Sequence, residues 1–307
     1  MHNRRKYSVI DAPSILGLRP IGVELLPKAL KAAGFLEKLN AEYGGIVAPS
    51  STYNYSRDEE TKLLNAEAIK DYSSRLADAV NSLLHENKFP IVLGGDCSIL
   101  IGNLLALRRI GRYGLFFIDG HADFYRPEES PTGEVADMDL AIVSGRGPDI
   151  LSNLEGLKPL VKERDVTVFG YRDSEQSAQY GCHDIKSTTM NAFELIDVKK
   201  VGLQNAASLA IHELLKNELL GFWIHLDADV LDDSIMSAVD YRLLGGITFS
   251  ELTNLLELLI LSKKAVGMSI TIFNPTLDKD GSMTRNFCLK HSRRFVLRKA
   301  FWCNSYF

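Results

Sequence analysis

Disulfides, membrane spans and strong charge are what this sequence does without, and each absence narrows what it can be. Its 307 residues hold four cysteines, Cys97, Cys182, Cys288 and Cys303, with no C-x-x-C pair and no disulfide-like framework. That usage fits a reducing compartment, and the expected location is the cytoplasm. No apolar run approaches the roughly 20 residues a membrane helix needs. The basic start, residues 1–6 (MHNRRK), is followed by no signal-peptide core and reads as a solvated terminus. A net charge of −4 gives neither nucleic acid nor an anionic membrane a reason to bind. Lys290, Arg293, Arg294, Arg298 and Lys299 read as the solvated face of a last helix, not as a nucleic-acid patch. The tail carries Phe301, Trp302, Tyr306 and Phe307, enough apolar surface to dock on the body or on a neighbouring subunit. No internal repeat, low-complexity tract or linker divides the chain, so a single domain spanning 1–307 is expected.

What is present is an alternation of strand-like and helix-like segments. Residues 7–10, 90–93 (PIVL), 114–118 (GLFFI), 166–170, 222–226 (FWIHL) and 265–273 read as short strands, with 45–48 a shorter one. Helical spacing marks 23–38, 59–87, 98–109 and 206–216. Thr248 and Glu251 have capping-box spacing at the start of another helix. The alternation implies a mostly parallel sheet with helices on both faces. Residues 125–148 form a long stretch rich in Gly, Pro and acids, and a loop of that kind in a compact domain is usually functional.

Three polar clusters follow three of the apolar runs directly. They are Gly94-Gly95-Asp96-Cys97-Ser98, Asp119-Gly120-His121-Ala122-Asp123 and Asp227-Ala228-Asp229. In a parallel sheet the carboxyl ends of the strands meet at one edge, where ligands bind. Carboxylates packed there repel one another unless cations neutralise them. In Asp119-x-His121-x-Asp123 the alternation sends all three side chains to one side. Oxygen donors with an imidazole suit Mn²⁺, Co²⁺, Fe²⁺ or Zn²⁺ better than Ca²⁺. A carboxylate shared by two such ions holds them roughly 3.5–4 Å apart, where bridging water ionises near neutral pH.

In this order and over nearly the whole chain, the clusters resemble the signature of the ureohydrolases, the family of arginase, agmatinase and formiminoglutamase. The loop Asp11-Ala12-Pro13-Ser14, the Gly245-Gly246 helix start and Phe273-Asn274-Pro275 also match the family. The resemblance implies a three-layer α/β/α domain around a central, mostly parallel eight-stranded sheet. It also implies a binuclear metal centre, manganese by family, and a homo-oligomer, trimer or hexamer. Carried over, Cys97, Asp119, Asp123 and Asp227 would hold one ion, and Asp119, His121, Asp227 and Asp229 the other.

The departures from the family pattern fall on the chemistry. Cys97 stands where the family has a histidine ligand, and a thiolate there would favour Zn²⁺, Fe²⁺ or Co²⁺ relative to Mn²⁺. Ile272 stands where a glutamate holds the substrate guanidinium, and an isoleucine leaves a buried cation unpaired. The family's proton-shuttling histidine aligns with Ala136, so Glu134 or Asp137 is expected as the catalytic general acid/base. Thr132 and Glu175 are the expected substrate contacts, Glu175 toward a cationic group. Asp232 is expected to orient the metal ligands, and His225, inside a strand, to be a hydrogen-bonded core histidine. The expected activity is hydrolysis of a non-peptide C–N bond in a small guanidino, amidine or amide substrate by metal-bound hydroxide. The alternatives are a single-metal, deacetylase-like amide hydrolase and a non-catalytic relative kept for binding or assembly.

Overall fold

Parallel pairing dominates because the strands read as continuous apolar runs, with no exposed face to alternate toward. In the computed structural model, which describes residues 5–293, eight strands form one sheet. They are β1 (Tyr7–Ala12), β2 (Glu42–Ile46), β3 (Phe89–Gly94), β4 (Gly114–Ile118), β5 (Val166–Phe169), β6 (Asn191–Phe193), β7 (Phe222–Asp227) and β8 (Ala265–Thr271). Their order is β2-β1-β3-β8-β7-β4-β5-β6, and every neighbouring pair is parallel. The expected side chains of Lys290 and Arg293, the cations at 294–299 and the aromatic tail lie outside the described residues.

Alternate residues of each central strand feed two separate cores. Ile91, Leu93, Phe116, Ile118, Ile224 and Leu226 face one layer, packed under the helices Leu203–Leu215 and Phe249–Leu261. Val92, Leu115, Phe117 and Trp223 face the other, under Ala66–His85 and Ile99–Ile110. The result is a three-layer α/β/α fold. Among the described residues no helix is long and apolar enough to cross a membrane.

Local differences from the sequence reading have local causes. The helix expected over 59–87 starts only at Ala66, because Asp58 and Asn65 tie the preceding residues into turns. The helix expected over 23–38 is interrupted at Gly34, whose φ of 83° ends one helical piece before Phe35–Leu39 begins. The strand placed at 45–48 lies at Glu42–Ile46, and β8 ends at Thr271, two residues early. Strand β6 gave no sequence signal: three half-buried residues at the sheet edge carry little periodicity. The capping box forms, with Thr248 and Glu251 each accepting the other's backbone N–H.

Candidate metal centre and cavity

The strand order brings the polar clusters together. β3, β8, β7 and β4 are consecutive in the sheet, so their carboxyl ends span only about 14 Å at the usual strand spacing of about 4.8 Å. Cys97 lies three residues past β3, Asp119 directly after β4, Asp227 ends β7, and Ile272 directly follows β8. Close backbone packing holds these turns. Asp96 accepts the N–H groups of Gly17 (3.2 Å) and Ser98 (2.8 Å), fixing the β3 turn that presents Cys97. The Asp229 carboxylate accepts Gly120 N–H at 2.9 Å, tying the β7 turn to the β4 turn.

Two groups of donors result, and they share Asp119. Cys97, Asp119, His225 and Asp227 each bring one ligand atom within 4.8 Å of the others, as do Asp119, His121 and Asp229. Cys97 Sγ donates to Asp227 Oδ2 at 2.9 Å, and His121 Nδ1 lies 2.9 Å from Asp229 Oδ2. Asp123, buried, holds a φ of 43° and lines the same cavity. Dry burial and mutual repulsion push Asp119 up to about 7 and push Asp123 and Asp227 well above the usual carboxylate range. Asp229 goes the other way: although burial opposes it, the His121 charge holds it down, and His121 is raised in turn. Asp119 Oδ2 is buried without a hydrogen-bond partner. A buried carboxylate oxygen without a partner beside further acids fits divalent cations, so the residues present suit the family's metal pair.

His225 is differently placed. Its ring stacks on Phe117 at 4.9 Å, Nδ1 lies 3.0 Å from Ser269 Oγ, and burial pushes it down to about 3. It is a neutral histidine beneath the site with its Nδ1 already engaged.

Sequence and fold comparisons agree with this geometry. Residues 6–296 match the model of the arginase family. The chain is 30% identical to the arginase of Staphylococcus aureus (strain MRSA252) over 285 residues, covering 91% of this chain and 93% of that one. It is 31% identical to the arginase of Bacillus subtilis (strain 168) over 281 residues, covering 89% and 92%. The crystal structure of arginase from Bacillus caldovelox superposes with a TM-score of 0.83 at 25% identity, covering 99% of this chain and all of that one. The chain belongs to the arginase family. With the family comes its reaction class, hydrolysis of a C–N bond other than a peptide bond.

Above the metal-type residues of this arginase-family chain lies a cavity of about 290 Å³, and its walls sort the remaining candidates. Thr132, Glu134, Ala136, Asp137 and Ile272 all line it. Ile272 holds a φ of 67°, a left-handed conformation that a β-branched residue rarely adopts. Asp137 accepts the Ser130 hydroxyl at 2.7 Å, while its Oδ1 has no partner, and burial raises it to about 7. Glu134 is already engaged, accepting Tyr241 O–H at 2.6 Å and Arg19 Nε–H at 3.0 Å. Its carboxylate is neutralised where it sits, which leaves Asp137 as the acid/base candidate.

Glu175 and Asp232 fall outside these roles. Glu175 is exposed in the helix Ser174–Gln179 and does not line the cavity; its neighbour Gln176 does. The one-residue offset on a helix turns the side chain by about 100°, which sequence spacing alone did not resolve. Asp232 accepts Ser234 N–H and O–H within its own turn, so it shapes the loop and reaches no ligand.

Several contributing residues carried no sequence signal. Asp173 accepts Ala122 N–H at 3.0 Å and steadies the Asp119–Asp123 turn from β5. Arg172 donates to the carbonyls of Asp229 (2.8 Å) and Leu243 (3.1 Å), fixing the loop that closes the cavity. Only the Arg172-Asp173 pair after a strand end hinted at either.

Proposed function

We propose that the chain is a two-metal hydrolase cleaving a non-peptide C–N bond of a small guanidino, amidine or amide substrate, with L-arginine itself a poor one. The convergence of five metal-type residues at the base of one cavity carries this reading: Asp119, Asp123, Asp227 and Asp229 are buried and His121 is half-buried. Cys97, Asp119, Asp123 and Asp227 would hold one divalent ion, and Asp119, His121, Asp227 and Asp229 the other. Manganese is the family's metal, and Cys97 admits zinc, iron or cobalt. When bound, the pair supplies an activated water for attack on an sp² carbon near neutral pH.

The residues of the chain set what is attacked. Ile272 presents an aliphatic wall to the substrate, so a guanidinium pressed against it would lose hydration without gaining a partner. Thr132 stands beside it as a neutral hydrogen-bonding contact. Asp137, with one oxygen held by Ser130 and the other free, moves the proton that the leaving amine needs. Tyr241, Glu134 and Arg19 form a charge-balanced wall that adds no net pull on a cation.

The same reading includes a cytoplasmic homo-oligomer, trimer or hexamer, with a small molecule as its partner. The free thiols of Cys97, Cys182 and Cys288 support a reducing compartment.

Metal analysis of protein purified without chelator, with steady-state assays, tests the proposal. Two equivalents of Mn, Fe, Co or Zn per chain are expected. So is kcat/KM for L-arginine well below that for weakly basic analogues such as N-hydroxyguanidines. Arginine turnover at or above about 10⁴ M⁻¹s⁻¹ would overturn the role given to Ile272. One metal equivalent would point to the single-metal amide hydrolase, and none to a non-catalytic relative.

A further inference from the structure

Arg57 reaches the loop that carries Asp137 from outside the cavity. It is half-buried in the segment before the helix Ala66–His85, and its three donor nitrogens all go to backbone carbonyls. Nε–H donates to Lys62 in its own segment, Nη1–H to Ser130 at 3.0 Å, and Nη2–H to Pro127. The neighbouring carboxylate of Asp58 is occupied elsewhere, accepting the N–H groups of Glu60 and Thr61 and the Thr61 hydroxyl. A guanidinium carries its donors in a rigid planar fork, so it fixes two carbonyls of one turn at once. A lysine ammonium is a point charge and does not.

The carbonyls it holds belong to the turn that orients Asp137. Ser130 accepts Arg57 through its carbonyl and donates its hydroxyl to Asp137 Oδ2 at 2.7 Å. The direction of that hydroxyl is set as well, because its oxygen accepts Gly133 N–H at 2.9 Å and keeps its proton for the carboxylate. Gly133 is a point of close approach between the two segments. Its φ is 75°, and a Cβ on it would stand 2.7 Å from Arg57 Nε and 2.8 Å from the Lys62 carbonyl oxygen. Its own carbonyl accepts Leu64 N–H at 2.8 Å. Arg57, Ser130 and Asp137 therefore form one line from the outer segment to the cavity wall.

The other groups around Asp137 do not supply this grip. Glu134, Tyr241 and Tyr125 line the same cavity and Asp139 lies two residues on, but none of them is a cation. Arg19 is engaged by Glu134. Burial and Glu134 push the Asp137 carboxyl up, while the Ser130 and Thr132 hydroxyls and the Arg57 charge hold it down, leaving it at about 7. A group that exchanges a proton near neutral pH needs that balance.

We propose that Arg57 is a positioning residue for Asp137, holding Ser130 so that the carboxylate keeps one oxygen fixed and the other free to move the substrate's proton. The inference rests on the role given to Asp137 above.

Two readouts on the full-length protein decide it. The first is the titration of Asp137, followed on zinc-loaded protein by carbon-13 NMR with labelled aspartate and assigned by the signal that Asp137→Asn removes. Arg57→Gln deletes both fork and charge, and should raise the midpoint by at least about half a pH unit. Arg57→Lys keeps the charge and should move it less. The second is kcat on an N-hydroxyguanidine. Arg57→Gln should lower it about 10- to 100-fold. In the Asp137→Asn background the same change should cost less than about twofold, because the group it positions is already gone. An unmoved midpoint in Arg57→Gln, or an equal loss of kcat in both backgrounds, would overturn the proposal and leave Arg57 a prop for the fold alone. A wild-type kcat in Asp137→Asn would instead remove the role of Asp137, and the inference with it. If wild type shows no turnover, the two-metal reading falls and the titration still decides whether Arg57 holds Asp137. If Arg57→Gln fails to fold, Arg57→Lys decides: kcat should still fall at least about threefold, since an ammonium does not grip both carbonyls. A wild-type kcat in Arg57→Lys would overturn the proposal.

Discussion

At the scale of single residues, Ile272 and Asp137 decide what the cavity can process. Ile272 lines the cavity in a left-handed conformation that costs an isoleucine of order 1–3 kcal/mol. A glutamate there would relieve the β-branching and present a carboxylate to a cation. Ile272→Glu should therefore raise kcat/KM for L-arginine by at least about tenfold relative to wild type, mostly through KM, as read in steady-state assays. An unchanged value would place the substrate's cationic end elsewhere. Asp137 is argued from reach: its free Oδ1 is the only carboxylate oxygen on that wall without a protein partner among Glu134 and Asp137. Asp137→Asn should lower kcat about 10²–10⁴-fold while KM and metal content stay near wild type. A fall of less than about threefold would assign the proton to water instead.

At the scale of elements, the turns after the strands are where sequence leaves least freedom. Gly95 leads from β3 into the Cys97 turn, and a methyl group on it would stand 1.7 Å from the carbonyl oxygen of Ser14. Backbone on one side and the Ile272 N–H bonded to the Gly95 carbonyl on the other leave no room to yield. Gly95→Ala should destabilise the fold by more than about 4 kcal/mol, seen as a collapse in yield or a large fall in melting temperature. A variant melting within a few degrees of wild type would mean the turn can open. The helices also show where the pattern misled: long amphipathic stripes ran into flanking turns, because apolar spacing does not register the Asx turns and glycines that end a helix.

For the whole molecule, the metal centre is a store of like charge held between two cores. Stripped of cations, the fold must keep Asp119, Asp123 and Asp227 together with their carboxyls raised above unfolded values. A raised acid binds its proton more tightly in the folded state, so its contribution is full below about pH 4 and is lost as pH climbs through about 7. Asp229, lowered by His121, opposes this at the acid end. Chelator-treated protein should therefore lose stability as pH rises from 5 to 8. Mn²⁺ should restore it, with the metal-induced gain in melting temperature growing over that range. A gain independent of pH would mean the carboxylates are already neutralised by protein groups.

The sequence by itself determined the fold class and most of the chemistry. Three apolar runs with acids at their ends are legible because strand burial and metal charge both leave short, local patterns, as at Asp119-x-His121-x-Asp123. It also exposed the departures at Cys97, Ala136 and Ile272, since those were gaps in an ordered motif. Tertiary structure alone decided which acids act together. The neutralisation of Glu134 by Arg19 and Tyr241, the outward turn of Glu175, and the grip of Asp173 on Ala122 all depend on residues remote in the chain. Asp139 is the clearest case: a lone aspartate before an apolar stretch reads as an ordinary helix start. Only the fold shows that its side chain is fully buried. Burial and pairing are properties of contacts between distant segments, and a linear pattern carries no record of them.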